Sequence, residues 1–195
     1  MTEIVLVRHA ETDLADRFCG HSDPELNAAG EHRLRSIIEE VARLGITRIY
    51  SSDLRRASRT ATAIRERTGA PIELRSGLRE IHFGLWEGLT WEEVERKYPT
   101  EAQLWVREFP ARSAPQGEAY RDFVLRVESE FKTALARHEN GALAVVSHRG
   151  VMQYMLIRFF GFTESDARKQ TENYGAIVVA SQPVLGEIDY SDIKA

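Results

Sequence analysis

Two short apolar runs in the chain each end in a turn that sets an arginine beside a histidine. They are Val7-Arg8-His9-Ala10-Glu11-Thr12 and Val146-Ser147-His148-Arg149-Gly150. A histidine at neutral pH can act as nucleophile, base or acid. An arginine presents a planar fork that donates two hydrogen bonds to a phosphate or carboxylate. In an open α/β sheet ligands bind at the carboxyl ends of the strands, so His9 and His148 both fall where a site is expected. A lone histidine would more readily be a satisfied surface side chain; two at equivalent strand ends, each next to an arginine, point to anion chemistry.

A third run, Tyr50-Ser51-Ser52, leads into Asp53-Leu54-Arg55-Arg56-Ala57. Arg55, Arg56 and Arg59 crowd a helix start, where the macrodipole disfavours cations and a bound anion would offset it. Arg55 and Arg59 are read as solvated. The segment Glu80-Ile81-His82-Phe83-Gly84-Leu85-Trp86-Glu87-Gly88 holds two carboxyls among bulky apolar residues. A carboxyl against apolar walls can have its pKa raised and serve as a proton donor; spacing does not choose between Glu80 and Glu87. His9 with Glu11, or His21 with Asp23, gives no fixed ligand geometry, so neither metal nor other cofactor is expected.

The elements that must position these residues follow from periodicity. Ile4–Val7 and Leu143–Val146 are wholly apolar and read as strands buried on both faces. Arg48–Ser51, Ile72–Leu74 and Ile177–Ala180 read as further strands, with a short last one over Ile188–Tyr190. A polar loop covers Arg8 to Leu26. Asn27 caps a helix with Leu34, Ile37, Ile38, Val41 and Leu44 at helical spacing, and Gly45 stops it. Helices are expected over Arg55–Thr68, from Thr90 to before Pro99, over Tyr120–Arg137 and over Val151–Phe160. Alternating strands and helices predict an α/β fold: a three-layer α/β/α sandwich with a mostly parallel sheet. The whole chain, 1–195, reads as one domain, with 85–115 breaking the alternation as a small helical cap insertion.

Composition narrows the function. The 195 residues carry 26 basic and 30 acidic side chains, a formal charge of −4, which argues against a nucleic-acid partner held by bulk charge. Cys19 is the single cysteine, so no intrachain disulfide can form. Met1-Thr2-Glu3-Ile4 lacks a secretion signal, and no apolar run reaches membrane-spanning length; a cytoplasmic protein with no membrane partner is expected. A homodimer is compatible with the sequence.

In order, Arg8–Thr12, Gly20–Leu26, Ser51–Ala57, Glu80–Gly88 and Val146–Val151 resemble the motifs of the histidine phosphatase superfamily, which includes phosphoglycerate mutases and fructose-2,6-bisphosphatase-like phosphatases. The resemblance runs from Ile4 to about Val179 and implies a phosphoglycerate mutase-like fold. It implies that His9 is the nucleophile and forms a phosphohistidine. Arg8, Arg56 and a protonated His148 would line the phosphate pocket, and Glu80, rather than Glu87, would be the acid. Thr12, Arg17, Cys19, Gly20 and Arg149 are candidates for substrate contact. The chain departs from the family pattern at Ala10, where glycine is usual, in a shortened loop over Ala10–Asp16 without the usual Trp-Asn pair, and at Arg149, where glycine is common. Arg149 either meets a second anionic group or points to solvent.

Three functions fit this resemblance. A metal-independent phosphomonoesterase acting on a small phosphate ester is favoured by Phe83–Gly88, which looks like the phosphatase branch. Trp105–Phe131 resembles the α-ribazole phosphatases of cobalamin synthesis, and a broad-specificity enzyme fits as well. A cofactor-dependent phosphoglycerate mutase is the first alternative, and a non-catalytic binding module on the same fold the second.

Overall fold

The computed structural model describes residues 3–181 and 183–186. Five strands, β1 (Glu3–Arg8), β2 (Ile46–Ser52), β3 (Ile72–Arg75), β4 (Ala142–Ser147) and β5 (Ile177–Ser181), form one sheet in the order β3-β2-β4-β1-β5. The first four are parallel and β5 runs antiparallel to β1. The strand expected over Ile188–Tyr190 lies outside the described residues.

Because successive side chains of a strand point to opposite faces, the apolar runs feed two cores at once. Ile4, Leu6, Leu143 and Val145 turn to one face and meet Phe123, Phe131, Met155 and Phe159. Val5, Val7, Ala144 and Val146 turn to the other and meet Leu34, Ile37, Ala57 and Ile64. The first helical layer comes from α5 (Tyr120–Ala136) and α6 (Arg149–Phe160), the second from α1 (Ala28–Val41) and α2 (Arg55–Thr68). This is a three-layer α/β/α sandwich. Phe131 and Phe159 are fully buried and stack at 4.6 Å; truncating either to alanine should cost about 3–5 kcal/mol.

The register of β1 with β4 decides where the chemistry lies. Arg8 pairs with Ser147, so the two strands end together and their next residues, His9 and His148, leave side by side. Their rings are 5.1 Å apart. Asn27 caps α1 as its type predicts, its side chain accepting the Gly30 N–H at 2.8 Å. Leu54 gives α2 no side-chain cap; Asp23 supplies one from the preceding loop, accepting the Arg55 N–H at 2.6 Å.

Two helices and several boundaries differ from expectation; β2, for one, begins at Ile46 rather than Arg48. Pro99 ends α3 (Trp91–Lys97) as predicted, yet it also opens α4 (Pro99–Glu108), because a proline's missing N–H costs nothing in a first turn. The helix α7 (Glu164–Gln170) has one buried apolar residue, Ala167, too few for a periodic signal. Helix α6 begins at Arg149, two residues before the expected Val151, with His148 in extended conformation as its cap.

Between β3 and α5, Trp86, Val94, Ala102 and Ala114 form a third, smaller core with Phe18, Trp91 and Trp105 packed on it. Its two ends are joined at Gly84, where φ is +53° and a Cβ would lie 2.2 Å from the Pro115 carbonyl oxygen. Any side chain there would push the two ends apart. No helix among the described residues is long and apolar enough to cross a membrane.

Candidate active site

His9 is buried at the carboxyl end of β1, its N–H bonded to the Ser147 carbonyl at 2.9 Å. Its Nδ1 lies 2.7 Å from the Ala10 carbonyl and its Nε2 lies 3.3 Å from the Nε–H of Arg56. A carbonyl only accepts and a guanidinium only donates. The proton is therefore on Nδ1, and the Nε2 lone pair accepts from Arg56. Burial, then the charge of Arg56, holds the imidazole pKa well below the ordinary histidine value. The result is an imidazole that is neutral at physiological pH.

Two arginines accompany His9 in different ways. Arg56, in the first turn of α2, is fully buried. It donates from Nη1 to the Ser22 carbonyl (2.7 Å) and from Nη2 to the carbonyls of Gly20 (2.8 Å) and Cys19 (3.1 Å). It ties the 19–22 turn to His9. Arg8 donates from Nη1 to the carbonyls of Thr171 (3.0 Å) and Glu172, and its guanidinium lies 3.9 Å over the Tyr174 ring. Its Nε is buried without a hydrogen-bond partner among the described residues. Burial lowers the Arg8 pKa, but an arginine starts so high that it stays charged.

His148 bonds through Nε2 to Ser52 Oγ at 2.9 Å, while Nδ1 is buried and unpartnered among the described residues. In the unliganded protein burial, followed by the charge of Arg56, pushes its pKa well below the ordinary value, so the ring is neutral.

The two carboxylates separate cleanly. Glu80 lines the cleft with His9 and Arg8; its Oε1 accepts the Ile81 N–H (3.0 Å) and its Oε2 the Gly150 N–H (2.9 Å). A Cβ on Gly150 would stand 2.4 Å from Glu80 Oε1, so any side chain there would push the carboxyl aside. Glu87 instead accepts the N–H groups of Gly20, His21, Ser22 and Phe83 at 2.8–3.1 Å. Burial alone would raise its pKa, but these hydrogen bonds outweigh it and leave the value lowered. Glu87 is a backbone clamp.

The cleft has a volume of about 360 Å³. Of the five outer candidates, Thr12, Arg17, Cys19 and Arg149 line it and Gly20 does not. Gly20 sits behind, donating its N–H to Glu87 while its carbonyl receives Arg56. Thr12 is buried and bridges to Leu26, closing the loop. Arg17 donates to the Gly88 carbonyl and pairs with Glu93, both at 2.8 Å. Arg56 and His148, expected in the pocket wall, are enclosed and reach the cleft through His9. Arg55 and Arg59 lie outside it, exposed and paired with Glu25 and Glu31. Among the described residues no group of three or more His, Cys, Asp and Glu side chains could hold a metal ion.

Sequence reading missed Asp16, Glu172 and Tyr174, which also line the cleft. Asp16 lies in the polar loop after β1 with no motif to mark it, whereas Glu172 and Tyr174 precede a strand rather than follow one. Because β5 is antiparallel, the loop entering it, not the one leaving it, reaches the carboxyl ends of the others. Phe18, Phe83 and Trp91 complete an aromatic wall.

A neutral, oriented imidazole, two buried guanidiniums and a carboxyl stand together at the carboxyl ends of the parallel strands, an arrangement suited to binding and attacking an anionic group. The chain matches the profile of the "Histidine phosphatase superfamily (branch 1)" over residues 4–183 and belongs to that family. It is 32% identical over 163 residues to "Phosphoserine phosphatase 1" of Hydrogenobacter thermophilus, covering 83% of this chain and 77% of that one. It is 34% identical over 154 residues to "Probable phosphoglycerate mutase GpmB" of Serratia proteamaculans, covering 76% and 70%. The solved mycobacterial glucosyl-3-phosphoglycerate phosphatase Rv2419c, in complex with VO3, superposes with a TM-score of 0.81 at 26% identity, covering 93% of each chain.

Proposed function

We propose that the protein is a phosphomonoesterase that hydrolyses small phosphorylated metabolites through a phosphohistidine at His9. The observation that carries this reading is the buried, Nδ1-protonated imidazole with Nε2 directed at Arg56 in a cleft shared with Arg8 and Glu80. In the first step His9 Nε2 bonds to phosphorus as the ester P–O bond breaks, and the Glu80 carboxyl gives its proton to the leaving oxygen. Once Nε2 is bonded to phosphorus it no longer accepts from Arg56, so that Nε–H turns to a phosphoryl oxygen. The unpartnered Arg8 Nε and His148 Nδ1 serve the same charge. A dianion beside His148 favours its protonated form, which restores the donor role expected for it. In the second step water attacks phosphorus, Glu80 takes its proton, the N–P bond breaks and inorganic phosphate leaves.

Arginines supply the positive charge that a metal would otherwise bring, and the phosphatases among the relatives favour water as acceptor over a second sugar hydroxyl. The test is direct. Radiolabelled substrate should leave an alkali-stable, acid-labile label that is absent in His9→Ala, and turnover should survive exhaustive chelation. A panel of phosphomonoesters, with O-phosphoserine, 3-phosphoglycerate and α-ribazole 5'-phosphate among them, should release phosphate. Wild-type labelling of His9→Ala would defeat the nucleophile assignment. Conversion of 3-phosphoglycerate to 2-phosphoglycerate without phosphate release, given catalytic 2,3-bisphosphoglycerate, would make the protein a mutase.

A further inference from the structure

Arg126 lies on α5 and does not line the cleft, yet its guanidinium is devoted to the segment that carries Glu80. Nη1 donates to the carbonyls of Gly77 (3.0 Å) and Arg79 (2.6 Å), and Nη2 to the carbonyl of Glu80 itself (2.9 Å). The other edge of the fork meets Glu118, with Nε to Oε1 at 2.6 Å and Nη2 to Oε2 at 2.7 Å. Glu118 closes the far end: its Oε2 accepts the His82 N–H at 3.2 Å, and its own N–H donates to the His82 carbonyl at 2.9 Å. Phe123 shields the guanidinium at 5.1 Å, and the pair is only 21% and 14% exposed. One ion pair thus fixes the main chain on both sides of Glu80.

We propose that Arg126 and Glu118 are positioning residues for Glu80, holding the 77–82 backbone so that the carboxyl faces the leaving-group oxygen. The inference rests on Glu80 as the proton donor. The side chain has its own tether, the Gly150 N–H, but that bond aims the carboxyl only if the Glu80 Cα is already in place. Without the fork, three carbonyls of an irregular segment would be left to water and the Cα would be free to drift. A loop that needed only stability could leave such carbonyls solvated, since partly exposed ion pairs add little to stability. A proton donor cannot drift, because a displacement of about 1 Å can cost on the order of 10²-fold in rate.

The experiment measures the phosphorylation step in single turnover for 3-phosphoglycerate, a poor leaving group, and p-nitrophenyl phosphate, a good one. It compares wild type, Glu80→Gln, Arg126→Met and the double variant. Arg126→Met should slow the alkyl ester by roughly 10–10²-fold and the aryl ester much less, and should cost at most about twofold more in the Glu80→Gln background. Equal losses on both esters, or an undiminished loss in the Glu80→Gln background, would overturn the inference and leave a structural ion pair. If Glu80→Gln itself slows both esters equally, the acid assignment fails and the inference with it; selectivity in Glu80→Gln but not in Arg126→Met sinks the inference alone. Should Arg126→Met not fold, Arg126→Lys and Glu118→Gln must show the same leaving-group selectivity at smaller size, and its absence in both counts against the proposal.

Discussion

The inner seat of the cleft and its outer rim are built on different physical terms. In the seat, Arg8, His9, Arg56 and His148 are each at least nine-tenths buried. Main-chain carbonyls at strand ends and in the 19–22 and 171–172 turns hold the two arginines and His9. On the rim, Arg17 divides between the Gly88 carbonyl and the partly exposed side chain of Glu93, and Arg149 makes no side-chain hydrogen bond among the described residues. The backbone cannot be changed one residue at a time, whereas the rim can. Seat geometry is therefore tied to the fold, while the rim rests on a few replaceable side chains.

That contrast breaks first in the seat. Arg56→Ala removes both the donor to the transferring group and the tie to the 19–22 turn, so kcat should fall by roughly 10²–10³-fold, as for loss of an oxyanion-hole donor. Arg8→Ala should fall in the same range. Steady-state kinetics on one alkyl ester checks both, and a loss confined to KM would mean the seat only binds. Gly150→Ala comes next. The new Cβ would meet Glu80 at 2.4 Å, so a loss approaching ~10²-fold on alkyl esters is expected, with p-nitrophenyl phosphate less affected.

Stability against pH sharpens the comparison from another side. The pKa values of His9 and His148 are held well below the unfolded value of about 6.5. As pH falls below that value the unfolded chain takes up these protons and the folded one does not. Stability should then be fully present above about pH 6.5 and decline below it, by up to about 1.4 kcal/mol per pH unit for each histidine. Urea unfolding at pH 7 and 5.5 should show a shallower loss in His148→Asn than in wild type; an unchanged slope would mean that His148 is not neutral in the fold.

The rim should respond weakly. Arg149→Ala is expected to raise KM several-fold for substrates with a second anionic group and to leave simple alkyl phosphates unchanged. An equal effect on both would place Arg149 in the seat's electrostatics instead. Arg55→Ala, on an exposed pair, should change stability by no more than about 0.5 kcal/mol and turnover not at all.

Much of the site was legible because its parts are local. The run Ile4–Val7 followed by Arg8-His9 announces a buried strand and what stands at its end, and Thr90 with Glu93 forms the capping box its spacing implies. What escaped was non-local. Tyr174 precedes a strand rather than following one, so it became visible only once β5 proved antiparallel. Glu118 and Arg126 look like ordinary charges on and before a helix. Their work depends on α5 lying against residues forty positions upstream, which no spacing encodes.

By itself the sequence determined the alternating strands and helices, the two histidine turns and the arginine at the start of α2, because hydrophobic period and turn chemistry act over a few residues. Only the tertiary structure decided that His9 is neutral with its lone pair on Nε2, that His148 starts neutral too, and that Glu80 faces the cleft while Glu87 clamps a loop. Those outcomes depend on burial and on hydrogen-bond partners brought from distant segments by the register of β1 on β4. Such sums over space have no trace in a local pattern of residues.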